Sequence, residues 1–260
     1  MSGITESTVE DAMLGWLRSL GYATAFGPTI VPGEPSAERE RLDVVILPAR
    51  LRDALSRLNP GVPSVALDEA VIKLSAINSL NIILQNRAVH RLLCDGLDVE
   101  YPKDDGSTDY AHVTVLDPTR SNLHDFLAVN QVAVVEARFH RRADVVVYIN
   151  GLPLALIELK SPSKADASIK GAFRQLQTYG REVPGLFHGN ALLVVSDGIE
   201  ARAGALGSDF SRFLPWRTID GENIAAAGQL QLETLTRGIF DKQRFLELVT
   251  RFVVFEDDGK

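Results

Sequence analysis

Between residues 6 and 20 the apolar positions Ala12, Met13, Trp16, Leu17 and Leu20 fall at helical spacing, with Ser7 or Thr8 as N-cap and Gly21 as the stop. A stretch punctuated by Pro and Gly follows to Pro35. Helical spacing returns over 48–58, closed by Asn59-Pro60-Gly61, and in a longer helix over 67–86. From Leu97 the pattern changes to short β-branched runs at 113–116, 132–139, 144–149, 154–160 and 191–196. A helical stretch over 164–181 separates the last two, and the tail over 230–255 reads as helical. Strands interrupted by one helix and bracketed by others predict an α/β (or α+β) fold, a central mixed β-sheet flanked by helices. No repeat or long linker divides the chain. One domain over 1–260 is expected, with a helical part to about 96, a sheet core over 97–220 and a helical tail over 227–256.

Composition narrows the class. With 45% hydrophobic and 23% charged residues, the chain is an ordinary globular one, long enough for a substantial core. No apolar run reaches the roughly 18 to 20 residues that span a bilayer, and MSGITESTVEDAM has neither the basic nor the apolar region of a leader. A cytoplasmic protein without a membrane partner is expected. A single cysteine, Cys94, excludes an internal disulfide framework and a thiolate zinc cage. The five histidines show no metal-binding spacing. His140 is set apart only because it approaches the hairpin described next, within reach of a phosphate. Neither a nucleophile elbow (G-x-S-x-G) nor a P-loop (G-x-x-x-x-G-K-[ST]) occurs, which removes acyl transfer and ATP hydrolysis by those routes.

Net charge is −7, which argues against coating nucleic acid by charge alone. The charge is unevenly placed. Residues 136–181 hold eight basic residues against four acidic ones: Arg138, Arg141, Arg142, Lys160, Lys164, Lys170, Arg174 and Arg181 against Glu136, Asp144, Glu158 and Asp166. That patch suits a phosphate, or is simply a solvated face.

Within it lies RRADVVVYINGLPLALIELKSP, residues 141–162. Two apolar runs flank Asn150-Gly151, both residues that tolerate positive φ, so a β-hairpin is predicted. The second run is apolar enough to be buried on both faces. Glu158 and Lys160 are set into it two residues apart and share a face, beside Leu154 and Leu156. Charges there are costly unless paired or bound to a cation. Asp144 joins them under a register condition. A strict two-residue turn sets it opposite Ile157, whereas an odd loop or a bulge sets it opposite Glu158. Pro153, which has no N–H for the ladder, favours the irregular register, and that is the expectation. Two carboxylates and an ammonium on one face suit a hard cation such as Mg²⁺, with the lysine orienting or deprotonating an attacking water. The same three residues also make a plain structural ion pair.

Asp144, thirteen intervening residues and then Glu158-Leu159-Lys160 resemble the PD-(D/E)xK nuclease motif. The surrounding text resembles the N-terminal domain of type I restriction enzyme R subunits. TESTVEDAMLGWLRSLGY, NRAVHRLLCDGLDVEY, LAVNQ, FRQLQTY, LLVVSDGIEARAGAL and FLPWRTIDG resemble further stretches of that family, so the likeness runs from about residue 5 to 256. It implies a divalent-metal-dependent DNA endonuclease of restriction-endonuclease-like fold, using Mg²⁺ or Mn²⁺ in its place. Asp144 and Glu158 match the metal-binding acids and Lys160 the catalytic lysine. Ala143 stands where the motif usually has proline, a loss of stiffness rather than chemistry. Gln175 and Tyr179, four apart on one helix face beside Ile169, Phe173 and Leu176, match the family's Q-x-x-x-Y motif, an auxiliary DNA-contacting element. Arg141 and Arg142 are auxiliary candidates too. An acid on the first helix completes the metal site in many related nucleases; Glu10 is the better match, with Glu6 one turn earlier.

The resemblance further implies double-stranded DNA as substrate, no base specificity in this domain, and partnership with methyltransferase (M) and specificity (S) subunits and with the motor domains of a full R subunit. ATP belongs to that motor, so the chain reads as an excised nuclease domain or a naturally short gene. Two other readings stay open: a non-catalytic DNA-binding or assembly module, and a stand-alone repair nuclease of the same fold.

Overall fold

A computed structural model describes residues 5–77, 79, 81–161, 168–226 and 228–256. Lys164, Asp166 and the expected start of the third long helix lie outside the described residues. The chain opens with α1 (Glu6–Ser19) and β1 (Ala23–Phe26), then α2 (Pro48–Leu58), α3 (Ser64–Ala76) and α4 (Ile82–Asp95). Next come β2 (Leu97–Pro102), β3 (Thr108–Val113), β4 (Phe126–Glu136), β5 (Phe139–Ile149), β6 (Leu152–Leu159) and α5 (Ile169–Glu182). β7 (Leu192–Ser196), β8 (Ala201–Gly204), α6 (Gln231–Ile239) and α7 (Lys242–Glu247) complete the series. Six strands form one sheet in the order β1-β4-β5-β6-β7-β8, with β1 parallel to β4, β6 parallel to β7 and the other pairs antiparallel. The fold is the expected mixed sheet flanked by helices.

Each face of that sheet is buried. Val145, Val147 and Ile157 pack with Met13, Leu17, Leu55 and Leu93 under the N-terminal helices and with Leu235 and Phe245 of the tail. Val146, Tyr148 and Leu156 pack with Leu176, Tyr179 and Phe187 under α5. Alternation along β5 therefore sends successive side chains into two separate apolar layers.

Several boundaries differ from the sequence reading, each for a local reason. Thr5, not Ser7 or Thr8, caps α1, its hydroxyl accepting from Thr8 N at 3.2 Å. The long helix expected over 67–86 is two helices, because Asn81 Oδ1 accepts from Ile83 N at 2.9 Å and Leu84 N at 3.2 Å and so starts a new one. The run at 113–116 leaves the ladder after Val113, where Asn59 takes over the backbone of Thr114 through both its amide atoms. The run at 132–139 holds a reversal at Ala137, φ +51°, rather than one strand. The tail is not one helix: Asp241 caps α7 by accepting from Arg244 N at 3.0 Å, and a π turn follows over Leu248–Phe252. β2 and β3 form their own hairpin on α3 instead of joining the sheet, whereas β1 joins it from within the helical part.

The hairpin of β5 and β6 turns at Asn150 (φ +54°) and Gly151 (φ +76°), as that dipeptide predicts. Both are pinned. Asn150 is fully buried, donating from Nδ2 to Val115 O at 3.0 Å and accepting at Oδ1 from Asp125 N at 2.9 Å. Gly151 O accepts from Leu47 N at 2.9 Å, and a Cβ on Gly151 would stand 2.5 Å from Leu47 O.

Candidate functional site

Near the turn Ile149 opposes Leu152 and Tyr148 opposes Pro153, the register of a strict two-residue hairpin. Beyond it Val147 opposes Ala155 and Val145 opposes Ile157, so Leu154 is an extra residue on β6. The irregularity expected beside Pro153 is present, and continuing the register brings Asp144 opposite Glu158. One detail is corrected. Leu154 does not share a face with Leu156: it packs with the N-terminal helices and Leu156 with α5, because a bulge interrupts alternation.

Glu158, next to last in β6, faces the α5 side with its side chain wholly enclosed. Its Oε1 accepts from Lys160 Nζ at 2.6 Å, while Oε2 is buried without a hydrogen-bond partner. Asp144 Oδ2 accepts from Leu159 N at 2.7 Å, so the strand that carries Glu158 also fixes the aspartate. Lys160 is held at its backbone, where its N–H donates to Ser196 O of β7 at 2.8 Å. Burial holds the Glu158 carboxyl well above the ordinary carboxylate range, and the Asp144 charge pushes the same way against the opposing pull of Lys160. Asp144 is raised by burial and opposed by the Leu159 N–H and Lys160; the charge of Glu10 raises it further. Two acids thus retain protons at pH values where exposed carboxyls have lost them, with Glu158 the stronger holder.

Glu10 is buried and lines the same cleft as Asp144, together with Asn130, Gln131 and Arg142. Its carboxylate is occupied: Asn130 Nδ2 donates to Oε1 at 2.9 Å and Gln131 Nε2 donates to Oε2. Glu6 lines that cleft one turn earlier. Asn130 and Gln131 were not singled out as site residues. They close the stretch LAVNQ that carries part of the family likeness, but nothing local gives them a role, since they lie some 120 positions from Glu10 and Gln131 takes φ +57° without being glycine.

Tyr179, expected in an auxiliary DNA-contacting element, is buried under the hairpin. Its hydroxyl donates to Arg142 O at 2.9 Å and accepts from Gln175 Nε2 at 2.6 Å, and burial followed by the charge of Glu158 raises its pKa. Gln175 and Tyr179 therefore tie α5 to β5 one residue before Ala143. Arg141 turns away from the acids, its Nε donating to Glu182 Oε2 at 2.5 Å. Arg142 is exposed at the cleft, and His140 is exposed beyond it. Cys94 has Sγ 3.6 Å from His90 Nε2, but burial raises its thiol, which makes it a poor nucleophile.

Among the described residues no three His, Cys, Asp or Glu side chains gather into a group able to hold a metal alone. Two carboxylates still fit Mg²⁺ or Mn²⁺, since Mg²⁺ commonly takes one or two and fills the rest of its octahedron with water and phosphate oxygens. The orphaned Oε2 of Glu158, fully enclosed beside a second carboxylate, is what such a cation would satisfy. No helix among the described residues is long and apolar enough to cross a membrane.

Comparison with known proteins points one way. Residues 3–212 match the family described as the type I restriction enzyme R protein N terminus. The type I restriction enzyme HindI endonuclease subunit of Haemophilus influenzae is 33% identical over 98% of this chain and 24% of its own length. The putative type I restriction enzyme MjaIXP endonuclease subunit of Methanocaldococcus jannaschii is 28% identical over 95% of this chain and 25% of its own. This chain spans about a quarter of the length of those two relatives.

Proposed function

We propose that this chain, which belongs to the family of type I restriction enzyme R protein N termini, hydrolyses phosphodiester bonds of duplex DNA with Mg²⁺, or Mn²⁺ in its place, held by Asp144 and Glu158. The observation that carries the reading is the buried, unpartnered Oε2 of Glu158 beside Asp144, at the end of a strand whose bulge exists in phase with that meeting. A bound divalent cation lowers the pKa of water and offsets charge that develops on a phosphoryl group.

The chain's own groups account for the rest. Asp144 and Glu158 release the protons that burial lets them keep and present oxygen ligands in exchange. Lys160, anchored through its backbone to β7 and through Nζ to Glu158, orients the attacking water at the mouth of the site. Glu10, steadied by two amides, adds a negative charge next to Asp144 and keeps a lone pair on each oxygen beyond the one each amide uses. Tyr179 and Gln175 keep β5 against α5, so that Asp144 does not drift from Glu158.

In this reading base recognition belongs to other subunits. The relatives are endonuclease subunits of type I restriction enzymes, and this chain acts beside methyltransferase and specificity subunits and an ATP-driven motor. Supercoiled plasmid incubated with the chain and Mg²⁺ or Mn²⁺ is expected to be nicked or linearised, and Asp144→Ala and Lys160→Ala to abolish the product. Absence of cleavage together with absence of Mg²⁺ and Mn²⁺ binding by calorimetry would overturn the catalytic reading in favour of an assembly module, in which Glu158 and Lys160 are only an ion pair.

A further inference from the structure

β4 and β5 stay paired from Phe126 opposite Ile149 out to Glu136 opposite Phe139, yet the ladder of β6 on β5 reaches only Val145. Past that point the two strands continue as an arm over residues 131–144. One side of the arm packs under α5 through Val132, Val134 and Ala143. On that side its Glu136 Oε2 accepts from Gly185 N at 3.0 Å, and its Arg141 is held by Glu182 of α5. Arg138, His140 and Arg142 are instead exposed and form no ion pair with any described residue. His140 and Arg142 share one side of β5, a step of roughly 6.7 Å apart, and Arg138 stands in the turn that closes the arm.

Arg142, the innermost of the three, lines the cleft that holds Asp144 and Glu10. The facing wall of that cleft is α1, which presents Glu6, Glu10 and Asp11 with a single cation, Arg18. A polyanion that approached along α1 would meet three carboxyls against one guanidinium, in addition to the two carboxyls of the site. The arm offers two guanidiniums and an imidazole with no carboxylate between them, and guanidinium suits phosphate in charge and shape. We propose that the exposed side of this arm binds the phosphate backbone of the DNA strand that enters the acid site, through Arg142, His140 and Arg138 in succession. The proposal rests on the nuclease reading and adds the path by which substrate reaches the acids.

The test is fluorescence anisotropy of a labelled DNA duplex without divalent metal, across a salt series from about 50 to 200 mM. The whole chain is compared with Arg138→Gln/Arg142→Gln and with the control Lys103→Gln/Arg251→Gln, which removes the same charge far from the arm. Thermal midpoints confirm that each variant folds. Each phosphate contact contributes roughly 0.9 to the slope of log K against log salt, so the arm variant is expected to flatten the slope by about two while the control leaves it unchanged. Equal slopes in arm variant and control, or no duplex binding by the parent chain, would overturn the proposal. Plasmid cleavage is scored separately. Arm-dependent binding with neither cleavage nor Mg²⁺ or Mn²⁺ binding would sink the nuclease reading alone, and cleavage with an unchanged slope would sink the arm alone.

Discussion

Replacement of Asn150 by alanine isolates what holds the hairpin in place. Asn150 is fully buried, and its side chain satisfies Val115 O and Asp125 N at 3.0 and 2.9 Å. Alanine leaves both backbone groups enclosed and unpaired, at about 1 to 3 kcal/mol each. It must also hold φ +54°, a left-handed conformation that asparagine tolerates and that costs alanine about 1 kcal/mol more. A loss of roughly 3 to 7 kcal/mol follows, a large part of the 5 to 15 kcal/mol of a typical domain. Asn150→Gly separates the contributions, since glycine loses the same hydrogen bonds but not the backbone preference; it should lie about 1 kcal/mol above alanine. Urea unfolding of the three proteins measures both differences. A loss below about 1 kcal/mol for Asn150→Ala would refute the reasoning, because the abandoned carbonyl and amide would then have found water and the turn would not be held by burial.

Three further outcomes are expected. Asp144→Asn keeps an acceptor for the Leu159 N–H and removes the titration; since the folded pKa of Asp144 is raised, the wild-type chain loses stability as pH rises from the ordinary carboxylate range through that raised value, so the variant's advantage should widen with pH. An advantage constant from pH 4 to pH 8, read from urea midpoints, would contradict the assignment. Added Mg²⁺ should raise the melting temperature of wild type and not of Glu158→Gln, because only a ligand of the folded state stabilises it. Tyr179→Phe should lose about 1 to 3 kcal/mol by stranding Arg142 O and the Gln175 amide, with a near-zero loss meaning that water replaces the hydroxyl.

Much of the site was readable from residues close together in the chain. Alternation around Asn150-Gly151 marks the hairpin, and the spacing of Asp144, Glu158 and Lys160 needs only a strand period of two and an irregularity near Pro153 to bring the acids face to face. The position of the extra residue, Leu154, was not readable, because a run of six apolar residues offers no polar marker of phase. β1 and β8, Ala23–Phe26 and Ala201–Gly204, are short and poor in β-branched residues, so they are strands only because a sheet edge is there to receive them. The reversal at Ala137 has neither glycine nor asparagine to announce it. The amides that hold Glu10 come from a distant strand, and long-range side-chain bonds leave no trace in local pattern.

The bulge at Leu154 sets which changes of chain length the hairpin tolerates. Deletion of one residue from a strand ordinarily exchanges its two faces from that point on. Here excision of Leu154 itself would leave Ala155 opposite Val147 and Pro153 opposite Tyr148, and every later partner, Glu158 included, would keep its place. The same excision at Ile157 would carry Glu158 and Lys160 one step along the ladder, to the wrong side of the sheet. One position in this strand is therefore a spare link in the chain's count, dispensable for the meeting of the acids though not for the 2.8 Å bond its carbonyl accepts from Ala191 N. Length variants of this hairpin that keep both acids in partnership should gain or lose residues there before anywhere else along β6.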